Sequence, residues 1–250
     1  MKRFTLLALA LFAWGCGDNG KDPEPDIVEI EETESETELV EQGPTVRFDL
    51  EAARSDEFFA FPYPSELRTT NSGAPDLSGF PQAGQSDTLD GLIAALAEGD
   101  PGFSPNGAIY FAIEAPLAPQ GLPQEPEDSL DETAAVFIVN LSPNSPAYKQ
   151  KALCTVHFLS AGSTYNPANL LVLQPYLGLS LRPGERYAAV VTDRVILASG
   201  ELLSHHPDWE LMESSVLPPP GVPAELHAQV GQLTGELADA GIDVASVVVA

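Results

Sequence analysis

The hydrophobic rhythm of the chain changes twice on the way from its start to residue 43. Residues 4–13 are an almost unbroken apolar run, residues 18–41 are dominated by acids, and after that short apolar runs alternate with Pro, Gly, Asn and Ser. In this last part, β-branched and aromatic residues with turn chemistry at their ends predict strands at 45–50, 108–113, 134–141, 152–159, 169–175 and 186–192, with a short one at 194–197. The turns are explicit, as in Ser142-Pro143-Asn144-Ser145-Pro146 and Arg182-Pro183-Gly184. Two stretches switch to a helical period. Residues 87–98 carry Leu89, Leu92, Ile93 and Leu96 on one side, with Ser86 or Asp87 to cap the start and Gly99 to end it. Residues 223–240 carry Leu226, Val230, Leu233 and Leu237, with Gly241 as the stop. Both stripes are expected to face the core. The run Val244-Ala245-Ser246-Val247-Val248-Val249-Ala250 reads as a last strand, which either completes a sheet or leads into a protein that once continued.

Irregular strand spacing and 23 prolines predict a mainly β fold, a sandwich with long loops and two peripheral helices. A doubly wound sheet would need a helix between successive strands, and the middle of the chain offers none. No internal repeat is visible.

The front of the chain has a different logic. Lys2 and Arg3 precede the apolar run 4–13, which is about half the roughly 20 residues needed to cross a bilayer. It reads as a secretory signal over residues 1–15. Ala13-Trp14-Gly15-Cys16-Gly17 follows and resembles the bacterial lipobox, in which a small residue precedes a cysteine that carries diacylglycerol after cleavage. The resemblance implies lipid attachment at Cys16 and a membrane-held mature chain. Trp14 and Ala13 depart from the usual small and leucine positions. Several acyl chains on one cysteine hold firmly, since each buried methylene contributes about 0.8 kcal/mol.

Charge then narrows the partners. The formal net charge is −26, and between Asp18 and Glu41 eleven acids face a single Lys21. Such a block repels itself and has little to bury, so residues 16–43 are expected to be an extended, disordered tether. With 11 Lys and Arg in all, two of them in the signal, no basic stripe remains for phosphates, and nucleic acid is excluded as a partner. A protein, cation or neutral polymer ligand stays open.

Little in the sequence suggests catalysis, and no cofactor or metal is expected. If Cys16 carries lipid, Cys154 has no disulfide partner and reads as a buried, inert thiol. The alternation of residues 151–159 puts Cys154, Val156 and Phe158 on one face and His157 on the other, which separates thiol from imidazole. Gly178-Leu179-Ser180-Leu181-Arg182 lacks the second glycine of a nucleophile elbow. Ser160 and Ser163 lie near His157 in sequence alone. His205-His206-Pro207-Asp208-Trp209-Glu210 holds metal-ligand residue types but no defined fourth ligand, and is expected to be a solvated loop. Pro218-Pro219-Pro220 and Phe61-Pro62-Tyr63-Pro64 read as rigid connectors.

Residues 181–192 and then Gly200-Glu201-Leu202-Leu203 resemble the late strands of bacterial Ig-like domains: Pro183-Gly184 turns the chain and Tyr187 packs inward as a corner. A wider likeness runs through Phe61-Pro62-Tyr63-Pro64, Gly102-Phe103-Ser104-Pro105 and Tyr165-Asn166-Pro167. It is to the amino-terminal region of exported lipases and esterases that carry an Ig-like module ahead of an α/β-hydrolase domain. The resemblance implies an Ig-like β-sandwich over 44–220, with 221–250 as a helix and strand at the junction to a hydrolase domain lost or encoded adjacently. No residue here matches the catalytic motif of those enzymes. The expectation is a non-catalytic, lipid-anchored spacer or binding module of the cell envelope, leaning to the outer membrane because Gly17 rather than aspartate follows Cys16. The alternative is the accessory domain of a truncated lipase or esterase.

Overall fold

A computed structural model describes residues 43–49, 57–220, 222 and 224–250. The signal run, Cys16 and the acids up to Glu41 lie outside the described residues.

Among the described residues, seven strands form two antiparallel sheets. One has three strands in the order β1 (Ile109–Ala112), β5 (Leu170–Pro175), β4 (Cys154–Leu159). The other has four, in the order β3 (Lys151–Ala152), β2 (Val136–Asn140), β6 (Tyr187–Thr192), β7 (Val247–Val249). At Leu153 the chain leaves β3 in one sheet and enters β4 in the other. Cys154 pairs with Pro175 across β4 and β5, and Phe137 with Val190 across β2 and β6.

Burial explains the two sequence rhythms. β4 alternates, with Cys154 buried and His157 and Leu159 exposed, as a strand with one covered face should. All five residues of β2 are buried, so it is covered on both faces and reads as a continuous apolar run. Phe111, Leu171 and Cys154 from the smaller sheet join Val136, Ile138 and Val190 from the larger in one apolar cluster.

Among the described residues, three α-helices accompany the sheets: α1 (Asp87–Ala97), α2 (Pro207–Ser214) and α3 (Ala224–Asp239). Helix accounts for 25% and strand for 22%, so the fold is mixed rather than mainly β. Helix α3 places Leu226, Val230 and Leu237 in the main cluster, as its stripe predicts. After it, residues 244–246 make a 3-10 turn and β7 completes the larger sheet beside β6.

Several sequence expectations need correction. Helix α1 forms where its period places it, yet none of its residues is buried, and among the described residues no other helix or strand packs closely on it. The solvated loop expected at 205–210 is in fact the start of α2. Pro207 sits in its first turn, the His206 imidazole accepts from the Asp208 amide at 3.1 Å, and Asp208 and Glu210 complement the helix dipole. Trp209 and Met212, three residues apart, share the buried face. The strand expected at 45–50 is reduced, within the described residues, to single bridges from Thr45 to Ser204 and Val46 to Ile113. The one expected at 194–197 gives bridges from Ile196 to Leu202 and Leu117 to Leu197.

Candidate functional site

Among the described residues, a pocket of about 180 Å³ lies where the loop after β5 meets the end of β2 and the short β3. Its walls include Asn140, Gln150, Lys151, Leu179, Arg182 and Tyr187. Two of the lining residues, Asn140 and Tyr187, are held by a carboxylate that does not itself line the pocket. Glu185 accepts from Asn140 Nδ2 at 2.6 Å, Ser145 Oγ at 2.9 Å and the Tyr187 hydroxyl at 3.2 Å. Burial works against the Glu185 charge, but these hydrogen bonds, and Arg182 nearby, hold its carboxyl below the usual range. Tyr187 in turn accepts from the Arg182 amide at 3.0 Å, and Ser142 Oγ accepts from the Arg186 amide at 2.7 Å. Tyr187 is half-buried, and its hydroxyl ties the 182–184 turn to β6. Gly184, at φ 74°, supplies the left-handed step of that turn.

Lys151 is half-buried on β3. Its Nζ donates to the Asp131 carbonyl and sits 3.8 Å from the centre of the Phe137 ring. Burial, helped by the neighbouring Arg194, lowers its pKa. No histidine or cysteine lines the pocket, and its serine, Ser180, is on an exposed loop. The arrangement supplies hydrogen-bond donors, two cations and an apolar wall. At about 180 Å³ it is smaller than an ordinary small-molecule site, and its lining contains no nucleophile paired with a base.

The residues singled out from sequence fall elsewhere. Cys16 lies outside the described residues. Cys154 is fully buried, with its amide donating to Ser129 Oγ at 3.2 Å, and burial raises its thiol pKa. His157 is exposed on the other face of β4. Ser163 is engaged with Asn166 rather than with His157. Gly178-Leu179-Ser180 forms a surface turn in which the Leu179 amide donates to the Tyr176 carbonyl at 2.9 Å, with no strand-to-helix elbow. His206 caps α2, so the 205–210 cluster does not converge on an ion. Among the described residues no group of three or more His, Cys, Asp or Glu could hold a metal. Phe61 of the Phe-Pro-Tyr-Pro stretch is a core residue, stacked 4.7 Å from Phe48.

Sequence reasoning missed Arg68, which is 2% exposed. Its guanidinium donates to the Phe58 carbonyl and, at 2.8 Å, to the Ser78 carbonyl, and lies 4.5 Å from the centre of the Phe58 ring. Burial lowers its pKa, opposed by Asp76 and Tyr63. Burial also pushes the Tyr63 phenol up to about 12. One signal was available: Arg68 is the sole Lys or Arg between Arg54 and Lys149, an odd place for a solubilising charge.

No protein-family model matches the chain, and neither a curated protein nor a solved structure matches it.

Proposed function

We propose that this chain is a lipid-anchored lipoprotein of the bacterial cell envelope, held through Cys16, whose globular part is a non-catalytic spacer or binding module. The observation that carries the reading is the order Lys2-Arg3, apolar run, Gly15-Cys16, acid block. Each part is common alone, but together they make a signal, an attachment point and a stalk. The stretch from Cys16 to Gly43 reaches at most about 95 Å when fully extended, enough to lift the domain clear of headgroups. Gly17 after the cysteine favours the outer membrane.

The finer fold belongs to the same proposal: the two sheets stack as an Ig-like β-sandwich. Support comes from the apolar cluster that both sheets enter. It also comes from the Tyr187 hydroxyl turning back to a backbone amide five residues earlier, the contact a tyrosine corner makes.

Mass spectrometry of the chain purified from bacterial membranes is the test. The expected product begins at Cys16 with diacylglycerol on its sulfur, and Cys16→Ala should leave an uncleaved or released chain. An unmodified thiol at Cys16 would sink the reading. For the non-catalytic part, the purified chain should show no turnover of short-chain p-nitrophenyl esters, and heat-labile turnover would overturn it.

A further inference from the structure

We propose that the loop 176–181 is a bilayer-contacting tip that orients the tethered domain on a phospholipid surface; this rests on the reading that the chain works at a membrane. The first ground is composition. Tyr176-Leu177-Gly178-Leu179-Ser180-Leu181 carries no charge in a chain with 37 acids. Tyr176, Leu177 and Leu179 are 40%, 78% and 59% exposed, so apolar surface is presented and not merely passed through.

The second ground is rigidity. The Leu179 amide bonds back to Tyr176, the Leu181 amide donates to the Pro105 carbonyl at 3.1 Å, and Tyr187 holds the Arg182 amide. Pro175 before the tip is paired with Cys154 in the sheet. Gly178, at φ 92°, takes the turn position that other residues avoid. A tip already fixed in shape loses little conformational freedom on insertion.

The third ground is the charge collar. Arg182 follows the tip directly and is exposed, while the Lys151 ammonium is turned to the Asp131 carbonyl and the Phe137 ring. Glu185 accepts from three donors, and Asp131 and Glu132 offset Lys151, so Arg182 is the cation that accompanies the tip. An apolar tip, a tyrosine at its base and a cation above it match the layering of acyl chains, interface and phosphates. Helix α1 also exposes leucines, but Asp87, Asp90 and Glu98 accompany them with no cation, a pattern that a phosphate layer repels. The tip alone binds weakly and reversibly. It matters for a domain already confined near the bilayer, where local concentration is high.

The test uses the full chain carrying Trp14→Phe and Leu177→Trp, reconstituted into vesicles of phosphatidylethanolamine with a minority of phosphatidylglycerol. Trp209 in the core is then the sole native tryptophan, and the chain without Leu177→Trp provides its baseline. The expected result is blue-shifted emission from Trp at 177, quenched by lipids brominated on their acyl chains. Adding Leu179→Asp should abolish both, and Arg182→Gln should weaken both, while the Trp209 signal stays unchanged. Water-like emission at 177 in vesicles overturns the proposal. So does a blue shift that follows protein density and ignores brominated lipid, which would assign the tip to a protein partner. The mass of the Cys16 peptide from the same preparation reports lipidation separately. An uncleaved signal run would hold the chain to vesicles equally well, so failure of the tip and failure of the anchor are distinguishable.

Discussion

In α3, Leu226, Val230 and Leu237 are no more than 5% exposed, whereas in α1 Leu92 and Leu96, set in equivalent helical rows, are 59% and 52% exposed. Periodicity states which side chains share a face; it carries no information on whether another surface exists to cover that face. The surroundings in the chain make the difference. Helix α3 leads through Gly241 and a short 3-10 turn into β7, which is hydrogen-bonded to β6, so the chain brings the helix back to the core. Helix α1 is flanked by long irregular segments, and the next strand begins only at Ile109. Its one notable tie is local, the Asp90 carboxylate accepting from the Gly84 amide at 2.7 Å.

The comparison breaks most easily in α3. Leu237 is fully buried in the main cluster, so Leu237→Ala should cost about 2–5 kcal/mol through lost burial and the cavity left behind. Urea unfolding of the two chains side by side measures it. A cost below about 1 kcal/mol would mean that α3 rests on the sheet as loosely as α1 rests on its surroundings.

A smaller effect should come from the ion pair that ties α3 to the larger sheet. Arg186, at the head of β6, donates through Nη1 to both Glu236 oxygens at 2.6 and 2.8 Å, and through Nε to Glu66 at 3.0 Å. The Glu236 side chain is 26% exposed and that of Glu66 is 59% exposed, so the pair to the helix is less screened. Arg186→Met should destabilise by about 1 kcal/mol. In double-mutant cycles, coupling to Glu236→Gln should exceed coupling to Glu66→Gln; the reverse order would show that the clamp serves the 65–67 loop instead.

Hydrogen exchange should separate the helices without any mutation. An isolated helix of 11 residues is marginal in water, and α1 has little tertiary packing to add. Its amides should exchange through local opening, well before those of α3, which should approach the slow exchange of β2 and β6. Equal protection in both helices would place an unrecognised surface against α1.

The same contrast marks what was legible in the sequence. Strands β1, β2, β4, β5 and β6 and the positions of α1 and α3 follow from alternation, apolar runs and punctuation. Helix α2 carried its own signals, Pro207 in the first turn and acids beside it. The metal-type residues at 205–210 drew attention from the pairing of Trp209 with Met212, which marks a buried helical face. The turn at Pro183-Gly184 was legible from its residues, but the contacts around the pocket were not. Glu185 meets Asn140 and Ser145 from 45 and 40 residues away, and no local pattern encodes such a meeting. Arg68 was hidden for the same reason, since its acceptors are backbone carbonyls, which leave no trace in residue identity.

The smallest effect is the most informative about α1. Leu92→Asp and Leu96→Asp, made together, should change unfolding free energy by no more than about 0.5 kcal/mol, because both side chains already face water. The same change at a covered leucine would bury an unpaired charge and unfold the domain. Thermal melts of the double variant beside Leu237→Asp therefore put one substitution into two environments. The two new acids also add to a helix that already carries Asp87 and Asp90 in its first turn, so any small loss should shrink when salt screens their repulsion. A loss that persists in high salt would instead mean that the leucine stripe is covered in solution, and the contrast with α3 would then be one of degree.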